Sequence, residues 1–581
     1  MKIREKFIFI DKLSFFGKNH VFISFLIGIF VGIFAILFIY AINFINSFVL
    51  ERFVLYIQPK PYGEGGESET YKFIFQKPYL LPMVVAAGGF IGGLLTYFFS
   101  PESRGIGTDA AIKAYHEGQS LSIKTSIIKL ITSAITIGTG GTSGREGPIA
   151  LIGGSIGSWM GKIFNLAEKQ KRIFLAVGLG AGIAAIFKAP LAGALISGEV
   201  FFKRDFDIEA MLLSFIASVT AYTVACLVFG FQPIFSTQIP PYINIKDLFF
   251  YVGLGIVCAI VIRVYIFLFF YIKSKFDAFS IPSYIKPAIG GVITGAIGAF
   301  IPVAIGNGYG WIQLIIDGKL LDMSFITMGI AGVILGVSFT LGSGGSGGIF
   351  GPSVMIGGLT GAVYCLLWNR FINLNLHLPS FIVVGMVSLF GAAAKAPLST
   401  LILIAEMTGG YSLLLPAMLS VFTAYYLSGD KTIFPSQVNT KFDSPAYRDE
   451  YGIYVLQKLK VKEYMKPAIT VNPETPATEA FHLMKENFIG GLPVLSEGKV
   501  VGIITKEDIK SAKNLVQKKV GDIMTKKVIT VTEEDTLAHC LEIMTNRGIG
   551  RLPVVKRSGV VVGIIARVDI GKAIRENLKE S

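Results

Sequence analysis

The sequence predicts an α-helical polytopic membrane protein, built from two structural repeats with broken helices, followed by a C-terminal α/β domain. Of its 581 residues, 52% are hydrophobic and only 16% are charged, whereas average usage is about 25% charged. Residues 21–50 contain no charged side chain, and this run exceeds the ~20 residues that a helix needs to cross a bilayer. Sequence motifs that recur at a nearly constant offset predict the two repeats.

The charge distribution predicts an orientation in the membrane. The chain carries a net charge of +14, which in a soluble protein would suggest a nucleic-acid partner. Here Lys2, Arg4, Lys6, Lys12 and Lys18 precede the first apolar run, and the positive-inside rule accounts for them without nucleic acid. We therefore expect a multi-pass protein of the plasma or bacterial inner membrane, with both termini in the cytoplasm.

Two motifs of the apolar region occur twice. Residues 147–154 resemble residues 351–358, which lie 204 positions later, and Lys-Ala-Pro-Leu at 188–191 recurs at 395–398, 207 positions later. Two independent matches at nearly one offset predict two halves of about 200 residues. Transporters built from such repeats hold their substrate at the repeat interface, on discontinuous helices. The sequence alone does not say whether the repeat is inverted.

The region after residue 440 also repeats itself, with Leu-Pro-Val at 492–494 and again 60 positions later. Each unit has the pattern of a helix between short apolar strands. The predicted divisions are a cytoplasmic N-terminal segment at 1–20, a membrane domain at 21–440, a linker at 441–459, and two tail units at 460–515 and 516–576.

Two glycine-proline motifs in the membrane region predict an anion site. Residues 144–148 read Gly-Arg-Glu-Gly-Pro and residues 347–352 read Gly-Gly-Ile-Phe-Gly-Pro, each followed by an apolar run. Proline favours the first helical position, so a helix is expected to start at each motif. The unpaired N–H groups and positive dipole end of a helix N-terminus bind anions. Because the motifs occupy matching repeat positions, both N-termini are expected to converge on one anion.

Glu146 is the sharpest single candidate, because an ionisable side chain inside a membrane is a functional hypothesis by default. A charged carboxylate at an anion site competes with the anion, and protonation releases the site, which would make Glu146 a gate. The sequence leaves a second interpretation open, in which Glu146 pairs with neighbouring Arg145 at a membrane surface.

Together with residues 189–193 and 406–408, these motifs resemble those of the CLC chloride channels and transporters over roughly residues 20–440. The resemblance implies chloride as the substrate, no required cofactor, and a homodimer with one pathway per subunit. It implies that Glu146 is the external gating glutamate, and that Lys129 and Arg145 supply positive potential. A snorkelling position at the interface is the alternative for Lys129. The anion-binding positions that it implies are Gly147, Ile349, Phe350 and Gly351.

The sequence departs from the CLC pattern beside the expected chloride site. The first-half motif Gly-Ser-Gly-Ile-Pro is here Ser-Arg-Gly-Ile-Gly at 103–107. The chloride-facing serine therefore falls on Arg104, next to Gly105, or on Ser103 if the alignment slips by one. The central tyrosine falls on Phe434, which has no hydroxyl donor, so an apolar inner constriction is expected.

A further departure bears on proton coupling. The internal proton-accepting glutamate of many CLC exchangers falls on Val200, one position after Glu199. Valine does not carry a proton, so the sequence favours a passive, channel-like anion pathway. A proton-coupled chloride exchanger remains the alternative, with protons passing through Glu199 or around Val200.

The tail resembles a tandem CBS pair, or Bateman module. Its first unit keeps the Ser/Thr-x-x-Asp motif as Thr505 and Asp508, and its second unit has Ala566 and Asp569. The resemblance implies an adenine nucleotide (AMP, ADP or ATP) held by Thr505, Asp508 and Asp569. The alternative is a module that only packs against the membrane domain and supports dimerisation.

Two functions of other classes compete with anion transport. A CBS-regulated divalent cation transporter needs carboxylate or carbonyl ligands, whereas Arg145 and helix N-termini repel cations. An intramembrane enzyme needs a catalytic constellation, and the sequence has no zinc motif and no nucleophile elbow. The histidines and cysteines lack metal-ligand spacing. We therefore predict a protein that is not an enzyme and has no metal site.

Overall fold

The computed structural model describes residues 18–66, 74–237, 245–372, 374–447, 455–512, 514–556 and 558–577. Four of the five basic residues that predict the orientation, at positions 2 to 12, and part of the predicted linker lie outside these ranges. The chain divides into two compact units, Met1–Ser444 and Pro445–Ser581.

The first unit is helical, and this confirms the predicted fold class. Seven of its described helices are long and apolar enough to cross a membrane. A π-helical turn at Ser47–Val54 and a short antiparallel pair, β1 (Tyr56–Ile57) and β2 (Ile74–Phe75), follow the first helix. The helices are α1 Lys18–Asn46, α2 Leu81–Phe99, α3 Gly107–Glu117, α4 Ile123–Gly138, α5 Glu146–Ile163, α6 Glu168–Phe187, α7 Pro190–Glu199, α8 Ile208–Phe229, α9 Leu248–Ala278, α10 Lys286–Phe300, α11 Tyr309–Ile316, α12 Met323–Gly342, α13 Phe350–Ile372, α14 Leu378–Ala394, α15 Pro397–Thr408 and α16 Leu414–Ser428.

Glycines allow the central helices to approach each other closely. A Cβ on Gly153 of α5 would clash with the carbonyl oxygen of Gly178 on α6, and one on Gly178 would clash with that of Gly153. Gly357 of α13 and Gly385 of α14 repeat this contact in the second half. Such small-residue contacts replace the hydrophobic driving force that is absent between helices in lipid. The repeat therefore extends from sequence motifs to helix packing.

The two halves are α1–α8 and α9–α16, and contacts between their equivalent short helices, α7 and α15, show the relative direction of this pair. Glu199 at the end of α7 contacts Leu398 at the start of α15, while Glu406 near the end of α15 contacts Leu191 at the start of α7. The two helices therefore run antiparallel, although they occupy equivalent positions in their halves.

Both glycine-proline motifs begin helices, but not at the predicted residue. Helix α5 begins at Glu146 and α13 at Phe350, so Pro148 and Pro352 are each the third residue rather than the first. The first four N–H groups of a helix have no intrahelical partner, so proline loses no hydrogen bond anywhere in that turn.

The second unit contains two similar α/β halves, as predicted. Each half has an antiparallel strand pair and its own hydrophobic core. Cys540 is fully buried in one core, and burial raises the pKa of its thiol to about 12. The elements are α17 Val461–Tyr464, α18 Ala477–Glu486, β3 Gly491–Ser496, β4 Lys499–Thr505, α19 Lys506–Ser511, α20 Val520–Ile523, α21 Leu537–Asn546, β5 Arg551–Val555, β6 Val561–Ala566 and α22 Arg567–Asn577.

Candidate functional site

The loops that precede α5 and α13 meet in the interior of the first unit. The N–H of Gly144 donates to the carbonyl of Gly348 at 2.8 Å, and the N–H of Gly348 donates to Ser143 Oγ at 2.8 Å. A Cβ on Gly147 would lie 2.5 Å from Gly348 Cα, so this approach requires glycine. The N-termini of both helices, and with them Gly147 and Gly351, consequently lie side by side.

The Glu146 side chain lies between these helix N-termini and is fully buried. Its Oε1 accepts a hydrogen bond from the Tyr309 hydroxyl at 2.6 Å. Its Oε2 has no hydrogen-bond partner among the described residues, and a Cβ on Gly351 would fall 2.8 Å from it. The carboxylate therefore occupies the space that the first turns of α5 and α13 enclose, and not a membrane surface.

Arg145 pairs with a carboxylate that the sequence did not predict. It is 6% exposed and forms an ion pair with Glu64, whereas its Nε is 4.0 Å from Glu146 Oε1. Its guanidinium also lies over the Tyr309 ring at 5.8 Å. Glu64, Arg145, Tyr309 and Glu146 thus form a continuous set, which we call the Glu146 network.

Phe350 contributes its backbone rather than its ring to the space beside Glu146. The ring packs against Phe187 at 4.7 Å and Phe390 at 3.5 Å between centroids. Ile349 and Phe350 are buried where α13 begins. First-turn N–H groups have no intrahelical acceptor, so those of α13 are available to an anion.

Lys129 is enclosed in the protein, so its alternative position at the membrane interface is wrong. It is fully buried, and its ammonium donates to the carbonyls of Ser103 at 2.9 Å and Gly105 at 2.8 Å. The next part of this loop joins the second half, because the N–H of Gly107 donates to the carbonyl of Gly347 at 3.1 Å. Lys129 therefore places its side-chain nitrogen within the loops that surround the helix N-termini.

The positions that depart from the CLC pattern have other partners. Ser103 Oγ bonds to Ser100 Oγ at 3.0 Å and to the Thr125 carbonyl at 3.3 Å. The Arg104 guanidinium is 3.5 Å from the Ser343 carbonyl, in the loop between α12 and α13. Phe434 is fully buried, and its N–H donates to Thr432 Oγ1 at 3.1 Å.

Glu199 caps a helix. Its Oε1 accepts the N–H of Leu398 at 3.0 Å, and its Oε2 accepts the N–H of Ser399 at 2.7 Å and also the Ser399 hydroxyl. Carboxylates stabilise helix N-termini through these N–H groups and the helix dipole. The neighbouring Val200 is buried, and its carbonyl accepts the side-chain amide of Gln437 at 2.8 Å.

Glu406 caps the N-terminus of α7 in the same way that Glu199 caps the N-terminus of α15. Its two oxygens accept the N–H groups of Leu191 at 3.0 Å and Ala192 at 2.8 Å, at the start of α7. Glu199 and Glu406 are 207 positions apart, which is the offset of one repeated motif. This shared offset could have predicted a common role for them.

The residues proposed to bind a nucleotide lie at equivalent strand-helix junctions of the second unit. Between β4 and α19, the hydroxyl and N–H of Thr505 both donate to Asp508 Oδ2 at 2.8 Å. Between β6 and α22, Asp569 accepts the N–H of Ala566 at 3.0 Å and pairs with Lys466 at 2.7 Å.

Comparison with known families agrees with both units. Residues 88–429, more than half of the chain, match the family described as voltage gated chloride channel. Residues 461–514 and 520–576 each match the CBS domain.

Similar proteins and structures cover the chain to different extents. The H(+)/Cl(-) exchange transporter ClcA of Yersinia pestis bv. Antiqua (strain Angola) is 30% identical over 342 residues, which are 58% of this chain and 71% of ClcA. Chloride channel protein CLC-f of Arabidopsis thaliana is 26% identical over 511 residues, with 75% of this chain and 65% of CLC-f covered.

Solved structures show the same fold. The X-ray structure of a slow cyanobacterial Cl-/H+ antiporter matches with a TM-score of 0.61 and 24% identity, covering 72% of this chain and 96% of the antiporter. The crystal structure of a eukaryotic CLC transporter matches with a TM-score of 0.56 and 17% identity, covering 95% of this chain and 97% of that transporter. The chain is therefore a multi-pass membrane protein of the voltage gated chloride channel (CLC) family of anion transporters, with a C-terminal pair of CBS domains.

Proposed function

We propose that this protein carries chloride and similar anions across the membrane through a pathway gated by Glu146. The observation that carries the proposal is the position of the Glu146 carboxylate. It is fully buried between the N-termini of α5 and α13, and one oxygen has no hydrogen-bond partner among the described residues. Helix N-termini are anion sites, so this carboxylate occupies the position that a chloride ion would take.

In the proposed mechanism the carboxylate and chloride alternate. Protonation or rotation of Glu146 removes its charge from the site, and a chloride ion enters. The N–H groups of Ile349 and Phe350 hold the central ion, while those of Gly147 and Gly351 border the outer position. The buried ammonium of Lys129 lowers the energy of an anion in these loops, because opposite charges attract more strongly in a low-dielectric interior.

Passive conduction is the proposed mode of transport. A coupled exchanger needs an inner group that takes up a proton from the cytoplasm. Val200 has no such group, and both oxygens of Glu199 are engaged at the N-terminus of α15. These contacts favour a pathway in which chloride moves without a fixed number of protons.

Proton-coupled chloride exchange is the second candidate. It is favoured by the similarity to ClcA, a protein named as an H(+)/Cl(-) exchange transporter, at 30% identity. In that case protons reach Glu146 by a route past Val200. A divalent cation transporter is not favoured, because the guanidinium of Arg145 lies beside the carboxylates of Glu64 and Glu146 and repels cations.

The reversal potential of the purified protein in planar bilayers distinguishes the two modes. We expect the potential under a chloride gradient to follow chloride alone and to ignore an imposed pH gradient. A potential that shifts with the pH gradient in fixed proportion would establish the exchanger instead. Absence of any chloride current or flux would contradict anion transport itself.

For the second unit we propose nucleotide-dependent regulation rather than catalysis. Asp508 and Asp569 lie at equivalent strand-helix junctions, where the resemblance to tandem CBS modules places the ribose of AMP, ADP or ATP. Carboxylate oxygens accept hydrogen bonds from ribose hydroxyls. Binding would bias the gate through a population shift, and the alternative is a module that only supports dimerisation.

The resemblance to CLC proteins also supports a proposal for the assembly and the location of this protein. We propose a homodimer with one anion pathway per subunit, in the plasma or bacterial inner membrane. Both termini are proposed to be cytoplasmic, and Glu146 then lies towards the external end of the pathway.

A further inference from the structure

Residues 58–66, which we call the Glu64 segment, are fixed against the helical unit at several points. The N–H of Gly63 donates to the Ile234 carbonyl at 3.0 Å, and the Lys188 ammonium donates to the Gly63 carbonyl at 3.0 Å. At the other end, the Gln58 side chain donates to the Ile305 carbonyl at 3.0 Å. Because the segment is held on several sides, the position of Glu64 is determined by the fold.

The Glu64 side chain contacts Arg145, the residue that precedes Glu146 in the sequence. Arg145 is 6% exposed, and its guanidinium forms an ion pair with the Glu64 carboxylate. The Nε of Arg145 has no hydrogen-bond partner among the described residues. Arg145 therefore holds one carboxylate firmly while it keeps an unused donor, and it is the charge nearest to Glu146.

A cavity of about 390 Å³ adjoins this ion pair, and Glu64, Arg145 and Lys188 lie on its wall. A water molecule in the liquid occupies about 30 Å³, so the cavity has room for hydrated small ions. Under the proposed function it lies on the external side of Glu146. An anion that enters from outside meets Arg145 there before it meets the gate.

We propose that Glu64 is a second, outer gate, whose carboxylate occupies Arg145 as a tethered anion that an external monovalent anion must displace. A guanidinium binds a carboxylate through paired, charge-assisted hydrogen bonds, so an incoming anion competes with a strong ligand. The inference rests on the proposed function, since it requires that anions pass Arg145 on their way to Glu146.

The test is the dependence of chloride flux on external chloride, measured in proteoliposomes that contain the full-length protein. In Glu64→Gln the tethered charge is absent, so the apparent affinity for external chloride is expected to tighten by roughly tenfold, the effect of one charge-assisted hydrogen bond. Glu51→Gln is the matched control. Glu51 lines the same cavity, but its carboxylate accepts from Ser47 Oγ at 2.9 Å and Arg145 pairs with Glu64. Glu51→Gln therefore removes a charge from the cavity without freeing Arg145, and it is expected to change the apparent affinity much less than Glu64→Gln.

A second variant moves the segment without altering a charge. A Cβ on Gly63 would clash with the backbone of Pro233 and Ile234, so Gly63→Ala should displace Glu64 and tighten external chloride binding in the same direction. Unchanged affinity in both Glu64→Gln and Gly63→Ala, with chloride flux intact, would overturn the outer gate and leave the proposed function standing. Absence of chloride flux in the unmodified protein would contradict both the outer gate and the proposed function.

Discussion

Among single residues, Tyr309 is the one whose side chain donates a hydrogen bond to the Glu146 carboxylate in the described part of the chain. Its hydroxyl donates to Glu146 Oε1 at 2.6 Å, and its ring contacts Phe235 at 5.8 Å between centroids. Tyr309 and Glu146 are 163 positions apart in the sequence. Under the proposed function, this hydroxyl stabilises the carboxylate in the position that blocks the pathway.

Tyr309→Phe is therefore expected to favour the open gate. The ring contacts remain, but the carboxylate loses a hydrogen bond worth about 1.5–3 kcal/mol. At a pH where the unmodified protein is mostly closed, chloride efflux from proteoliposomes should rise by roughly tenfold or more. Tyr56→Phe is the control, since that buried hydroxyl donates to the Pro302 carbonyl. Equal efflux in the two variants would exclude Tyr309 from gating.

Glu146→Gln tests the gate itself. The amide has nearly the same shape but carries no charge at any pH, so it does not compete with chloride as a carboxylate does. We expect flux to increase and to become independent of pH, whereas flux of the unmodified protein should rise as the pH falls and the carboxylate is protonated. The exposed Glu168, at the start of α6, provides the control Glu168→Gln. A pH profile that survives in Glu146→Gln would assign the gate elsewhere.

The sequence identifies only part of the Glu146 network. Glu146 lies in a local motif whose glycines and proline indicate a helix start, so its chemistry is readable from five consecutive residues. Glu64 and Tyr309 lie 81 and 163 positions from their partners, and no local pattern marks either of them. Their roles depend on tertiary contacts that the sequence does not encode in any single segment.

Among helices, α7 and α15 cap each other. Glu199→Gln and Glu406→Gln should each lower the unfolding free energy by about 1.5–3 kcal/mol. Each variant weakens charge-assisted hydrogen bonds at a helix N-terminus, three at Glu199 and two at Glu406. Thermal unfolding in detergent measures this loss, and the two repeat-related variants act as controls for each other.

The same pair of variants tests the role of Glu199 in proton movement. We expect both to leave the reversal potential unchanged in its response to a pH gradient. If Glu199→Gln alone altered that response, Glu199 would be a proton carrier and not only a cap.

The short helices show where sequence patterns lose their predictive power. Spans such as α1 and α8 are evident from the uncharged runs at 21–50 and 211–245, which are long enough to cross a bilayer. Helices α7 and α15 are too short to cross a bilayer, so hydropathy does not distinguish them from loops. The repeated Ala-Pro-Leu at 189–191 and 396–398 marked both helices, but their antiparallel direction became visible only through their contacts.

At the scale of the whole molecule, the tail is expected to bind an adenine nucleotide. Asp508→Asn in the full-length protein should abolish or strongly weaken ATP, ADP or AMP binding in calorimetry. Asp535→Asn is a matched control, because Asp535 accepts from the N–H and hydroxyl of Thr532 at 2.7 and 2.9 Å, as Asp508 does from Thr505. Equal binding by both variants would remove Asp508 from the nucleotide site, whereas absence of binding in the unmodified protein would favour a tail that acts only in dimerisation.

Internal repeats predicted the organisation of both units, because duplicated segments keep similar packing. Gly153 and Gly357 illustrate this, since each makes the same close helix contact in its own half. The matching repeat positions also led us to expect that the motifs at 144–148 and 347–352 would converge, and the N–H of Gly144 donates to the carbonyl of Gly348. The repeat did not predict that Tyr309 and Glu64 would join them, because neither residue lies in a repeated motif.

The mutual capping of α7 and α15 also imposes an order on biosynthesis. When α7 leaves the ribosome, Glu406 has not yet been made. The N–H groups of Leu191 and Ala192 therefore lack this acceptor until the chain has grown by 215 and 214 residues, respectively. At about 5–20 residues per second, the wait is roughly 10–40 s. The first half is therefore an unfinished intermediate in the bilayer, and co-synthesis of the two halves as separate chains should stabilise it against degradation.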